Sequence, residues 1–405
     1  MSLLKISLLL FCLIIINSCK DKNSLHEEKI KFWHFWSEPN QRKALNELIT
    51  KFESENHCKV EVTELSWNDG KMKLMAAFNS NTAPDVLELG SDWVAQFSSS
   101  GVLTKLDKDS MNTNKFISFS LAPSTWASNI YALPWVIDTR VMFYNIDLMT
   151  KAGLNAAPPK NIDELINYSE KINSLGEVYG IGTNGSDQHR LYKKFLPLLW
   201  SYGGEIIDKN GKPSLNLPEN VQALETYLQL SRIGIIETQR QIDSYFIQGK
   251  VGFWVSGAWL LQKLQKENPN LKFGLALIPG FAEKPSYSFA GGEYLAINQK
   301  SKNQKLAQQL IKFLTDGKNI IEFCKKIPEA GFPADSAYFN NEYYKTQTLR
   351  LVFTEQLKHS KMTPVHPKWL DIEALLENAV VEALYGRKSA QEALDDAQKE
   401  SLILE

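Results

Sequence analysis

Residues 29–35 read KIKFWHF, residues 59–65 KVEVTEL and residues 84–89 PDVLEL. In the first two, apolar and polar side chains alternate, with Ile30 and Phe32 on one face of the first and Val60 and Val62 on one face of the second. That is the period of a strand. Between them, Pro39 and Asn40 open a segment whose apolar positions Leu45, Leu48, Ile49 and Phe52 recur at helical spacing. Residues 72–80 read as a shorter helix. Strand, helix, strand, helix, strand predicts a doubly wound, mostly parallel α/β sheet. Ligands of such sheets sit beyond the carboxyl ends of the strands. His34, Trp36, Ser91, Asp92 and Trp93 all stand at such ends.

Further along, residues 131–135 (YALPW) and 138–145 (DTRVMFYN) read as one extended segment with no turn signal inside it. Helices are expected over 162–175 and about 218–233, and strands over 272–278 and 293–297. Gly291-Gly292 stands before the last of these. The carboxyl-terminal part is helical. One helix runs over 369–385 and stops at Gly386, and another begins at Ser389, where Ser389 and Glu392 have capping-box spacing. Trp369, Ile372, Leu376, Ala379 and Ala383 form a single apolar stripe, which is a core face.

The chain has 405 residues, more than one usual core holds, so two domains are expected. Lysine and arginine (45) nearly balance aspartate and glutamate (46), with no basic cluster, which argues against nucleic acid. The six histidines show no metal-ligand spacing, and no P-loop, G-x-G-x-x-G or G-x-S-x-G is present. No cofactor is implied. The amino terminus carries Lys5, an apolar run over residues 6–16, then Ser18 and Cys19. That run is too short to span a bilayer and reads as a secretory signal. Cys58 and Cys324 are then the two cysteines left in the body of the chain. They can pair in an oxidising compartment, but two cysteines make no disulfide framework, and the reading leans towards separate buried thiols.

Ile16-Asn17-Ser18-Cys19 resembles the lipobox of bacterial lipoproteins. That resemblance implies a signal peptide over 1–18, lipidation of Cys19, a tether over 19–28, and attachment to the cell envelope on its periplasmic or extracellular side. The body of the chain resembles the extracellular solute-binding proteins of ABC importers, in the carbohydrate-binding group that includes maltose-binding protein. The segments that carry it are IKFWH at 30–34, APDV at 83–86, YALPW at 131–135 leading to FYN at 143–145, GKVG at 249–252 through GAW at 257–259, and GG at 291–292 into LAI at 295–297. Gly257-Ala258 stands where many relatives have Gly-Pro. The resemblance implies two α/β lobes, 29–137 with 290–332 and 138–289 with 333–405. They are joined by segments crossing near 131–145, 287–298 and 330–336, with the ligand in the cleft. It also implies a monomer that captures a sugar and delivers it to the transmembrane subunits of a permease, without doing chemistry.

A sugar site needs flat aromatic surface for C–H faces and fixed polar groups for hydroxyls. Carboxylates suit its rim, since each accepts from two hydroxyls through charge-assisted bonds. The candidates are Trp36, Glu38, Asp92, Trp93, Trp135, Asp138, Arg140, Trp259, Gly292 and Glu293. Trp259, after a strand ending near Ser256, is read as a stacking platform, and Trp254 as core. Trp36 and Trp135 fit either role. Asp138 and Arg140 can bind the ligand or pair with each other. Glu38 can reach the cleft or supply charge at a helix start. A phosphorylated polyol is the alternative ligand, for which only Arg140 is well placed. A glycosidase would need two carboxyls flanking one bond.

Overall fold

The computed structural model describes residues 28–281, 287–339 and 341–404. The expected signal segment, Cys19 and the tether up to residue 27 lie outside the described residues. In chain order the strands are β1 (Glu28–His34), β2 (Cys58–Glu64), β3 (Val86–Gly90), β4 (Thr125–Trp126), β5 (Asn129–Ile130), β6 (Ala132–Thr139), β7 (Val141–Asn145), β8 (Tyr179–Asn184), β9 (Ile235–Glu237), β10 (Val251–Ser256), β11 (Phe273–Ala276), β12 (Ser288–Ile297), β13 (Phe332–Pro333) and β14 (Ser360–Lys361). They form two main sheets, ordered β13-β6-β12-β3-β1-β2, with β14 on β12, and β11-β7-β10-β8-β9. A small ribbon of β4 and β5 stands apart. Each main sheet is the spine of one lobe.

The opening five elements form where the sequence places them. β1 buries Ile30, Phe32 and His34 and exposes Lys29 and Lys31. The helix Pro39–Asn56 buries Leu45, Leu48, Ile49 and Phe52, and ends at His57 in the left-handed conformation with φ 52°. β1 pairs in parallel with β2 and β3. The expectation of mostly parallel sheets is corrected, because both sheets are mixed. β12 runs antiparallel to β3 and β6, and β7 runs antiparallel to β10 and β11. The physical reason is connectivity. β12 and β7 enter their sheets after the chain has crossed from the other lobe, without the helical crossover that imposes parallel pairing.

The extended segment 131–145 runs from β6 in the first sheet through Arg140 to β7 in the second. A knot of hydroxyls holds this crossing. Thr139 Oγ1 donates to Phe289 O at 2.9 Å, Ser288 Oγ donates to Arg140 O at 2.7 Å, and the Thr139 and Ser360 hydroxyls lie 3.0 Å apart.

Helices cover both sheets. Pro39–Asn56 packs on β2 and on the helix Gly317–Lys326, while Ile162–Asn173 packs on β8. The helix Trp369–Leu384 buries the whole predicted stripe and lies against Ala390–Ile403. The latter begins with the predicted capping box, in which Ser389 Oγ accepts from Glu392 N at 3.2 Å and Glu392 Oε2 accepts from Ser389 N at 3.0 Å. Cys58 and Cys324 are both buried thiols, and burial pushes the Cys324 thiol up to about 12.

Candidate functional site

The carboxyl ends of β1, β2 and β3 carry three aromatic rings. Phe35 stacks on Trp67 with centroids 4.1 Å apart and planes 19° apart, and Trp93 closes the cluster at 5.4 Å from Trp67. Trp93 is buried, with an indole N–H that has no hydrogen-bond partner, whereas Trp67 is 39% exposed. Trp67 was missed by the sequence reading. Its signal was available, since it follows the end of β2 as Trp36 follows the end of β1.

In the second lobe, β10 ends at Ser256 and the next helix begins at Trp259. The indole lies back over Gly257, where a Cβ would stand 1.9 Å from the ring, so this position has room only for hydrogen. Trp259 Nε1 donates to Asp243 Oδ2 at 3.1 Å. The same buried carboxylate accepts from Trp254 Nε1 at 2.8 Å and Ser256 Oγ at 3.1 Å. Trp254 is core, as expected.

Arg140 joins these groups at the crossing. Its Nη1 donates to Asp138 Oδ2 at 2.8 Å, and its guanidinium carbon lies 5.2 Å from the Trp259 ring and 4.9 Å from Phe289. Of the open readings for Asp138 and Arg140, the pairing with each other is present. Glu293 faces the same charges. Burial, and then the neighbouring Asp138 and Glu88 carboxyls, push its carboxyl well above the usual range, while Arg140 and Lys193 oppose this. Gly292 pairs with Ile137 across β12 and β6, and a Cβ there would meet Val136 O at 2.2 Å. The structure therefore brings Asp138, Arg140, Trp259, Gly292 and Glu293 together.

Asp92 belongs to a second polar cluster, between the lobes. It is 9% exposed and accepts from Tyr192 Oη at 3.0 Å. Beside this contact Arg190 donates to Asn68 Oδ1 at 3.1 Å. Glu377 holds the loop before Tyr192, accepting from His189 N at 3.0 Å and Tyr192 N at 3.1 Å, and burial raises it to about 7. His189 Nδ1 lies 2.6 Å from Glu373 Oε1, and this bond raises the imidazole. Tyr192, His189, Glu373 and Glu377 were not legible in the sequence, because the loop and the helix that supply them are more than 180 residues apart.

The remaining candidates stand apart. Trp135 has no exposed surface and stacks on Phe323 at 5.3 Å, with Trp36 edge-on to both rings. That is core packing, decided by the helix Gly317–Lys326 lying over the end of the sheet. Glu38 is exposed at the start of its helix, its backbone N–H donating to Gln41 Oε1 at 3.2 Å. Among the described residues no group of side chains could hold a metal ion, and no helix is long and apolar enough to cross a membrane.

Two sheet-based lobes, crossed by a few strands and carrying polar and aromatic groups where they meet, define a two-lobe binding protein. The chain belongs to the bacterial extracellular solute-binding protein family, whose model matches residues 36–319. It is 26% identical to a galactooligosaccharide-binding protein of Bacillus subtilis over 378 residues, 89% of this chain and 86% of that one. It is 29% identical to a diacetylchitobiose-binding protein of Streptomyces coelicolor over 285 residues, 67% of this chain and 66% of that one. Its fold is similar to maltose-bound MalE3 of T. maritima, with a TM-score of 0.82, 22% identity, and coverage of 93% of this chain and 100% of that one.

Proposed function

We propose that this protein is the sugar-binding receptor of an ABC importer, anchored to the envelope by lipid on Cys19. It captures a sugar or oligosaccharide between the lobes and presents the closed form to the permease. The lobes divide at 29–137 with 290–332 and 138–289 with 333–405. The reading rests on one observation above all: the indole of Trp259, oriented by Asp243, lies beside the Asp138–Arg140 pair and Glu293. A flat apolar surface beside fixed charged acceptors and donors suits a pyranose, which shows C–H on its face and hydroxyls at its rim. The aromatic cluster of Trp67, Phe35 and Trp93 supplies the facing surface in the first lobe, with Asp92 beside it.

The protein binds and releases its ligand unchanged. Its family and the relatives named above are binding proteins, and the polar groups of the cleft serve recognition. A thermal-shift screen of mono- and oligosaccharides tests this reading. A true ligand at 100 times its Kd adds about 2.7 kcal/mol to stability. Stabilisation by glycerol phosphates, with none by any sugar, would replace the sugar reading with the phosphorylated polyol.

A further inference from the structure

The end of the first sheet remote from the cleft carries a groove of about 410 Å³. Three lysines line it, Lys31 from β1 and Lys300 and Lys302 from the turn after β12. β1 and β3 begin at this end and β12 finishes at it, whereas His34 and Gly90 close β1 and β3 at the cleft. The turn is pinned to the strands beside it. Asn303 Nδ2 donates to Lys29 O at 2.9 Å. Asp85, just before β3, accepts from Lys31 N at 2.8 Å through one oxygen and from Ser301 Oγ through the other. Phe78 and Val102 add apolar surface to the lining.

The charge of this end is not compensated. Lys29, Lys31, Lys300, Lys302 and Lys305 are all exposed, and none of them forms an ion pair with another described residue. Lys300 Nζ donates to the neutral Asn81 Oδ1 at 2.6 Å. Asp85 is the one carboxylate in the lining, and both its oxygens are already engaged. Beyond the groove, residues 298–315 hold four lysines and neither aspartate nor glutamate. Glu28 and Glu61, on β1 and β2, oppose this charge without pairing with it. Only the fold makes these lysines a patch, since Lys29 and Asn303, in contact here, are 274 residues apart in the chain.

The start of β1 is also where the chain enters the body. Cys19 precedes Glu28 by nine residues, which span at most about 30 Å. With lipid on Cys19, the lysines around the start of β1 are the charges held closest to the bilayer, and any approach within the ~8 Å Debye length brings them into its surface field. We propose that this end of the first lobe is a docking surface for the anionic headgroups of the membrane that anchors the protein, with Lys31, Lys300 and Lys302 taking the headgroup phosphates. A lysine near an anionic bilayer strengthens attachment by about fivefold. An acidic protein face would suit the same charge, but the entry of the chain beside the groove favours the membrane. Docking here stands the protein on its first lobe, with the cleft at the far end of the sheet and open to solute. The contact is screened by salt and reversible, so the body remains free to turn to the permease. This inference rests on the lipid anchor of the reading above and is independent of the sugar.

Vesicle co-sedimentation tests it with the chain from residue 20 onward, which keeps every described residue and lacks only the signal segment and Cys19. Vesicles of phosphatidylcholine are compared with vesicles that also contain phosphatidylglycerol. Binding is expected to the second kind alone, and should disappear near ~1 M salt, where the Debye length is about 3 Å. Lys31→Glu, Lys300→Glu and Lys302→Glu combined should lower the partition at least about tenfold and leave the circular dichroism unchanged. Lys171→Glu, Lys209→Glu and Lys266→Glu combined change the net charge equally at exposed positions of the second lobe, and should bind as the parent chain does. No binding to phosphatidylglycerol, binding that survives ~1 M salt, or equal loss in the two combined variants would overturn the docking surface. Calorimetric binding of inorganic phosphate with none to vesicles would give the groove a soluble anion and overturn the membrane. Either failure leaves the sugar reading standing, and fractionation of Cys19→Ala tests the anchor separately.

Discussion

Trp259 is oriented by two neighbours of opposite kinds. Gly257 supplies empty space beneath the ring, and Asp243 supplies the acceptor for its N–H. The indole is therefore preorganised, which lowers the ordering cost of binding. Trp259→Ala should weaken sugar binding by roughly 2 kcal/mol or more, about thirtyfold. Asp138→Asn loses the charge that pairs with Arg140 and that the proposed site offers to ligand hydroxyls, and should cost about 1–3 kcal/mol in affinity. Calorimetry on folded variants checks both, and unchanged affinity in both would move the site elsewhere. Glu88 is a different case. It is buried in β3, its Oε2 accepts from Phe35 N at 2.9 Å, and burial raises it from 4.5 to about 8. The folded state therefore holds a proton that the unfolded chain has lost, and stability falls as pH rises from about 4.5 to about 8. Glu88→Gln keeps the acceptor and cannot titrate. Its melting temperature should gain on that of the wild type steadily between pH 5 and 8, and parallel curves would assign the titration to another group.

At the scale of elements, β12 is the strand on which the cleft depends. It pairs with β3 and β6 at once, bulges between Glu293 and Tyr294, and reaches β14 at its start. The bulge sits where the strand delivers Glu293 to the site, a common use of such irregularities. Gly292 lets β12 lie against Val136 O just before it. Gly292→Ala forces a Cβ into backbone, which cannot rotate away, so β6 and β12 must separate. A loss of about 1–3 kcal/mol is expected, as for other overpacked interiors. Denaturant unfolding measures it, and a midpoint equal to wild type would show that the strands yield without cost.

At the scale of the whole molecule, two contacts span the lobes. Tyr192 reaches Asp92, and Arg190 reaches Asn68. A ligand touching both lobes favours the closed state by its extra contacts there. Adding the correct sugar should reduce the radius of gyration in solution scattering. Tyr192→Phe leaves buried Asp92 without its donor only in the closed form. It should weaken affinity by about tenfold or more, in line with ~1.5–3 kcal/mol for a hydrogen bond to a charged group. Identical scattering with and without sugar, or an unchanged Kd in Tyr192→Phe, would count against closure through this contact. Attachment is a separate property. Cys19→Ala should shift the protein from the membrane fraction to the soluble one, and unchanged fractionation would remove the lipid anchor.

The sequence alone determined the elements whose signals are local. β1, the helix after Pro39, β2, β3, the stripe of the helix Trp369–Leu384 and the Ser389–Glu392 box are set by hydrophobic period and by capping groups within a few residues of each other. The glycines beside Trp259 and Glu293 were legible for the same reason, as was the resemblance that named the fold. Tertiary structure decided what depends on distant partners. The direction of β12 follows from where its crossing arrives, and Trp135 is core because a helix nearly 190 residues later covers it. The contact of Tyr192 with Asp92 exists only once the two lobes meet. Charge, burial and hydrogen bonding act through space, and no spacing along the chain encodes them before the lobes have formed.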